Sequence, residues 1–255
     1  MSARRFLNGI TNVSSADPLG AVPYLDPTKW VVYHEDFCGP FLGTAAGTVA
    51  NGSSSNVGGG YYVTASTNAT ISGTTDATDA PLGCLSIVTT AADNEYGYLQ
   101  TGPGWAMTAG KKFVMEIRFE ITAATIAQNE LFLGLASWHA VGATFFATDG
   151  TARAFDDGIG WYSPDADADI DVIVGENDVF DNQTVIATYV TATWYTCSLY
   201  YDGADIHLWI NGTSVGSMTP AQIPVSAVGP TIWFKTGEAA VQTFLCDYIY
   251  IAAER

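Results

Sequence analysis

The sequence predicts an all-β protein built as a two-sheet antiparallel sandwich. Three observations lead there. Residues 112–121 alternate, with Phe113, Met115, Ile117, Phe119 and Ile121 interleaved with Val114, Glu116, Arg118 and Glu120. A period of two belongs to a strand buried on one face, because successive side chains leave opposite faces of the pleat. The apolar runs are separated by turn pairs such as Asp202-Gly203 and Asn211-Gly212, which tolerate positive φ. No segment keeps a helical period over three turns, and no internal repeat of roughly 20–50 residues marks a propeller or solenoid.

Taken in order, residues 1–29 read as an N-terminal arm, with turn signals at Asn8-Gly9, Asp17-Pro18 and Asp26-Pro27 and no sustained periodicity. Residues 30–255 read as the sandwich domain. A strand is expected over Trp30–Phe37, then a Gly/Ser/Thr-rich loop, then a short strand over Tyr61–Ala65. Cys84–Thr90 and Glu95–Leu99 read as a hairpin around residues 91–94. After the 112–121 strand come Leu131–Trp138, Ile159–Tyr162, Ile170–Val174 and Val185–Val190. Trp194–Tyr201 and Ile206–Asn211 form a hairpin through Asp202-Gly203, and Asn211-Gly212 turns the chain into Ser214–Ser217. Ile232–Lys235 and Phe244–Ile251 complete the set.

Composition bounds the function. A chain of 255 residues suits a single large β domain. Hydrophobic residues at 48 % supply its core, while charged residues at 14 % leave Thr, Ser, Asn and Gly to build the surface. Nine Lys and Arg against 26 Asp and Glu give a net charge of −17, which disfavours a phosphate backbone or an anionic membrane as partner. No apolar run is long enough to span a bilayer. Arg4 and Arg5 are followed by no apolar stretch of the kind that makes a secretory leader, so the expectation is synthesis in a cytoplasm, followed by retention or particle assembly there or by export along another route. Cys38, Cys84, Cys197 and Cys246 form no CxxC pair and read as buried free thiols. A Cys38–Cys246 bridge would require the first and last strands to pair.

The residues suited to chemistry are scattered. Glu116 and Glu120 share a strand face with Arg118 between them, four residues apart. That is too far along a strand for the directly paired carboxylates of a retaining glycosidase, so the face reads as a solvated charge alternation and the protein as a non-enzyme. Asp165, Asp167, Asp169 and Asp171 alternate before Glu176 with the spacing of a calcium loop. Ile170 stands where the sharp turn would need glycine, so an acidic loop is the plainer reading. No cofactor is expected beyond that calcium candidate. His34, His139 and His207 suggest no triad, and no phosphate-binding glycine motif occurs. His207 and Trp209 lie opposite Ile206, Leu208 and Ile210 on their strand. Such a face is buried by loops, or meets a protein partner or a sugar.

Residues 194–216, W-Y-T-C-S-L-Y-Y-D-G-A-D-I-H-L-W-I-N-G-T-S-V-G, resemble the signature of concanavalin A-like and laminin-G-like jelly rolls, and Cys246–Ile251 is similar to their closing strand. The resemblance implies that fold and is nearly silent on function. The opening R-F-L-N-G-I-T-N-V, the D-P-T-K-W and E-D-F that follow, and A-A-D-N, G-K-K-F and Y-Y-D-G further on resemble capsid-associated structural proteins of tailed bacteriophages. This second resemblance implies a virion protein that decorates or cements the capsid surface, assembled in the host cytoplasm. It would bind the major capsid protein through Arg4, Arg5 and Phe6 as a homo-oligomer, with a trimer on local three-fold axes as one arrangement. The alternative expectation is a carbohydrate-binding, lectin-like module of a phage fibre or secreted protein, using His207 and Trp209.

Overall fold

The computed structural model describes residues 28–37, 48–50, 54–57, 60–76, 80–137, 145–147, 152–153 and 155–255. The expected arm up to residue 27, with Arg4, Arg5 and Phe6, lies outside them, as do Cys38 and His139. In chain order the first strands are β1 (Trp30–Glu35), β2 (Thr48–Ala50), β3 (Ser54–Val57), β4 (Tyr61–Ala65), β5 (Thr70–Asp76) and β6 (Ala80–Val88). Next come β7 (Tyr96–Thr101), β8 (Phe113–Thr122), β9 (Asn129–Ala136), β10 (Phe146–Ala147), β11 (Ala152–Arg153), β12 (Gly158–Ser163) and β13 (Asp169–Glu176). The last are β14 (Val179–Thr188), β15 (Tyr195–Tyr201), β16 (Ile206–Ile210), β17 (Thr213–Met218), β18 (Gly229–Thr236) and β19 (Thr243–Glu254). No helix occurs among the described residues.

The strands form the two antiparallel sheets of a jelly-roll sandwich. Sheet A runs β17-β16-β15-β8-β19-β6-β5-β2, with β1 also paired to β19; sheet B runs β14-β13-β12-β9-β18-β7-β4-β3. The small β10–β11 ribbon stands apart. The alternation of β8 holds as expected: Phe113, Met115, Ile117, Phe119 and Ile121 all enter the layer between the sheets. They meet Leu131, Leu133 and Leu135 of β9, Ile159 and Trp161 of β12, and Ile232 and Phe234 of β18 within one core cluster. Each such side chain contributes about 1.5–3 kcal/mol through burial. The two central strands β18 and β19 are consecutive in the chain, and Phe234 stacks on Phe244 with ring centroids 5.5 Å apart.

Two expectations are corrected. Cys84–Thr90 and Glu95–Leu99 do not form a hairpin: β6 belongs to sheet A and β7 to sheet B. Both strands carry residues that must enter the shared layer, Ile87 and Leu99, and the chain meets that demand by crossing between the sheets. A Cβ on Gly97 of β7 would lie 2.4 Å from Ile87 Cγ2, so glycine is what lets β7 pass this close over β6. The strand expected over Val185–Val190 begins earlier, at Val179. The turn before it is Asn177-Asp178, with φ of 51° and 62°, a pair of left-handed residues that makes a tight hairpin between β13 and β14. The Asn211-Gly212 turn is as expected, with φ of 52° and 75°. β1 does pair with β19, yet Cys246, like Cys84 and Cys197, is a buried thiol that enters no disulfide.

The outer face of sheet B carries its own aromatic layer of Tyr98, Phe132, Tyr162 and Trp233, with Phe145 and Phe155 from the connection between β9 and β12 packed among them. Beside it Lys235 Nζ donates to Glu130 Oε1 at 2.8 Å, with side chains 3 % and 0 % exposed.

Three outcomes are expected in urea denaturation. Glu130→Ala leaves the Lys235 ammonium buried beside a lost partner and should cost about 3–5 kcal/mol; a loss below about 1 kcal/mol would contradict the pairing described. Gly134→Ala puts a Cβ 2.2 Å from Ile159 O and should cost about 1–3 kcal/mol. Gly73→Ala meets nothing within 4 Å and should stay within about 0.5 kcal/mol of the parent.

Candidate functional site

The outer face of sheet A collects the residues best suited to recognition. The strand registers set them in rows. His34 of β1 stands opposite Tyr250 of β19, Tyr250 opposite Glu116 of β8, Glu116 opposite Ser198 of β15, and Ser198 opposite Trp209 of β16. The neighbouring row runs Val32, Ala252, Val114, Tyr200, His207. Cross-strand neighbours of this kind lie within side-chain contact. Val114, Tyr200, Trp209, Tyr248, Tyr250 and Ala252 form a second buried apolar cluster on this face, with Trp30 against it.

A bulge aims the polar groups. Between Cys246 and Tyr248 the register of β19 against β8 shifts by one residue. Phe244 and Cys246 therefore face the inner layer before the bulge and Ile249 and Ile251 after it, while Tyr248 and Tyr250 turn outward. An extra residue that re-aims side chains is the usual effect of a bulge. Here it carries Asp247 to Arg118, with Nη1 and Oδ2 2.5 Å apart. The Arg118 guanidinium also lies over the Trp194 ring, 4.4 Å from its centroid, a cation–π contact. Burial raises the Asp247 carboxyl from its ordinary value, with Arg118 opposing the rise.

Glu116 is fully buried. Its Oε2 accepts the Ser198 hydroxyl at 2.6 Å and its Oε1 the Tyr248 hydroxyl at 2.7 Å. Burial, followed by the Glu116 carboxylate, pushes the Tyr248 phenol well up. The solvated charge alternation expected for this strand face is thus corrected. Glu116 and Arg118 are buried and held by residues from two other strands and a loop. Their burial follows from those partners, since charged groups leave water only when hydrogen-bonded or paired.

At the edge of this face His207 Nε2 lies 3.0 Å from Asp202 Oδ2, and the two side chains are 30 % and 36 % exposed. The His207 ring stands 6.1 Å from both Tyr200 and Trp209. His207 and Trp209 are therefore on one outer face, as the sequence indicates. Trp209 is only 3 % exposed, so it forms the floor and His207 the accessible ring. At the other edge His34 is exposed, with its ring 6.2 and 6.3 Å from Tyr248 and Tyr250.

The four alternating aspartates do not converge on a metal. Ala166 has φ 62°, which breaks the extended run between Asp165 and Asp167. Asp167 Oδ1 accepts the Asp169 N–H and Asp169 Oδ1 accepts the Thr188 hydroxyl. Asp171 is buried in β13 opposite Tyr162. Asp165 lies instead against Gly237, where a Cβ would meet its Oδ1 at 2.3 Å. Among the described residues no group of three or more His, Cys, Asp or Glu side chains is arranged to hold a metal.

The sandwich recurs among solved structures. The Emp47p carbohydrate recognition domain matches with a TM-score of 0.55 at 10 % identity, over 89 % of this chain and 98 % of that one. A protein of unknown function from Shewanella oneidensis MR-1 matches at 0.57 and 12 % identity, over 89 % and 87 %. An endo-β-1,4-glucuronan lyase from the fungus Trichoderma reesei matches at 0.53 and 11 % identity, over 78 % and 92 %. At these identities the likeness shows the lectin-like jelly-roll fold alone. No family model and no curated protein matches the sequence.

The edge of the site has an acid signature. The Asp205 N–H first, and then the His207 ring, pull the Asp202 carboxyl down from 3.8 to about 2. A depressed folded value means that the unfolded chain takes up the proton first as pH falls. The stabilisation is complete above about pH 4 and is lost as pH falls through about 2. Thermal melts between pH 5 and pH 2 should show a shallower loss for Asp202→Asn than for the parent; superimposable curves would refute the linkage.

Proposed function

We propose that this protein is a non-catalytic carbohydrate-recognition module whose binding face is the outer face of sheet A. The observation that carries the reading is the accessible edge of that face, where the His207–Asp202 pair stands beside the Tyr200 and Trp209 rings that floor it. A pyranose has an apolar C–H face and a rim of hydroxyls. A ring flanked by a carboxylate and a histidine offers both kinds of contact. The neighbours named for a function, a carbohydrate recognition domain and a glucuronan lyase, both concern saccharides, which supports the reading at the level of fold.

The net charge of −17 repels polyanions and points to neutral glycans over uronate chains. A non-catalytic role is supported by the carboxylates of the face. Glu116 is engaged by Ser198 and Tyr248 and Asp247 by Arg118, an arrangement that fixes them in place.

A second reading, decoration of a bacteriophage capsid, is favoured by the segment resemblances that begin with R-F-L-N-G-I-T-N-V. In it residues 1–29, with Arg4, Arg5 and Phe6, grip the major capsid protein, and a homo-oligomer multiplies weak contacts. Mass spectrometry of purified virions tests it, since a cement protein is present at high copy number. A glycan-binding protein of a fibre is present at low copy number.

An array of neutral and uronate-containing oligosaccharides is the direct test of the first reading. Selective binding to neutral glycans is expected, weakened about tenfold by His207→Ala through loss of one polar contact, with the circular dichroism spectrum unchanged. Silence across the array, or binding indifferent to His207, would sink it.

A further inference from the structure

Away from the proposed sugar face, one end of the sandwich holds an unusual set of oxygens. The Thr236 N–H donates to Glu95 O at 2.9 Å and the Asn94 N–H to Thr236 O at 3.0 Å, and Thr236 pairs with Asn129 in the β18–β9 register. Glu95, Thr236 and Asn129 therefore stand abreast on three neighbouring strands of sheet B. Two residues further along the same strands are Gly97, which approaches Ile87 of sheet A, and Phe234 and Leu131, which are in the inner core. By the two-residue period, Glu95, Thr236 and Asn129 face the inner layer as well. From sheet A, Gln242 stands two residues before the inward Phe244. It pairs with Thr89 through Thr89 N to Gln242 O at 3.0 Å and Gln242 N to Thr89 Oγ1 at 3.1 Å.

These side chains reach across the gap between the sheets. Glu95 Oε2 accepts the Thr90 N–H at 2.6 Å and the Thr90 hydroxyl at 2.9 Å. Gln242 Nε2 donates to Glu238 Oε1 at 2.9 Å and to Gln128 O at 3.4 Å. Asn129 Nδ2 donates to Ile126 O at 2.7 Å. Those donations fix which end of each amide is oxygen. Glu95 Oε1, Asn129 Oδ1 and Gln242 Oε1 are left, all buried and without a hydrogen-bond partner. Glu95 is 4 % exposed, and Asn129 and Gln242 are fully buried.

Buried polar atoms in folded proteins nearly always have partners. All three are acceptors, so what completes them must carry positive charge or donate hydrogen bonds. Glu95 takes part in none of the ion pairs among the described residues, and Glu238 adds a second carboxylate at the rim. The donor set is oxygen only, one buried carboxylate and two amides, with no nitrogen or sulfur. That chemistry suits hard cations of the alkali and alkaline-earth kind and not zinc or copper.

We propose that this end of the sandwich binds a hard metal cation, calcium foremost, through Glu95 Oε1, Asn129 Oδ1 and Gln242 Oε1, with water completing the shell. The cation ties together the connections at residues 89–95, 123–129 and 237–242, which join strands of both sheets. It is a structural site, independent of the sugar face.

The test uses the full chain, dialysed against chelator and then metal-free buffer, titrated calorimetrically with calcium chloride and separately with potassium chloride. One equivalent of calcium should bind and raise the melting temperature by several degrees at a free concentration about 100 times Kd. Glu95→Gln should weaken binding at least about tenfold, since affinity follows ligand charge. Potassium binding in place of calcium, equally lost in Glu95→Gln, also supports the site. Where Glu95→Gln fails to fold, Asn129→Asp serves, and its added charge should tighten calcium binding. No saturable binding of either cation to the parent, or affinities unmoved by both substitutions, would overturn the proposal and leave ordered water as the partner of these oxygens.

Discussion

The contact between Phe234 and Phe244 holds the architecture together. The two rings stack across the layer between the sheets, one on β18 and the other on β19. Each of these strands has neighbours on both sides, β9 and β7 around β18, β8 and β6 around β19. Placing this pair sets the spacing and facing of both sheets at once. Phe119 joins the stack from β8, 6.1 Å from Phe244. The register of every other strand then follows from the need to send alternate residues into the same layer, because a one-residue slip would turn a strand's apolar set toward the outside.

With the inner layer apolar, most polar chemistry is sorted to the outer faces and the ends. On sheet A the bulge at Asp247 performs the sorting. It reverses which residues of β19 face inward and brings a carboxylate to Arg118. On sheet B the Glu130–Lys235 pair and the tyrosines play the corresponding part. The sandwich is therefore a three-tiered object in cross-section, with a polar and aromatic stratum on either side of the apolar one. Charged residues are few in this sequence, and several of them are spent inside these strata, which leaves the exterior to small polar residues.

What was legible in the sequence is what depends on near neighbours. The alternation of Phe113 to Ile121 and the Asn211-Gly212 turn are local, and both appear where they were read. The parity change from Phe244 and Cys246 to Ile249 and Ile251 was also visible in principle and marks the bulge. Strand pairing was not. Alternation tells which residues of β6 and β7 face inward but not whether the two strands lie side by side or face to face. The burial of Glu116 and Arg118 was likewise hidden, because Ser198, Tyr248, Asp247 and Trp194 lie some 70 to 130 positions away. Glu95, Asn129 and Gln242 share no motif at all. They meet only because three connections end on the same side of the fold.

The position of β19 has a consequence in time. Nearly its whole length completes the hydrogen bonding of β8, from Thr243 opposite Thr122 to Ala253 opposite Phe113, yet even the first of these pairs is separated by 121 positions of chain. At translation rates of about 5–20 residues per second, β8 waits roughly 6–24 s after it is made before that partner exists. Through that interval a strand with an apolar face and an unpaired edge must be kept from other chains, the circumstance in which edge strands recruit the wrong neighbour. Yield of native protein should therefore be governed less by the stability of the finished sandwich than by what shelters β8 while it waits.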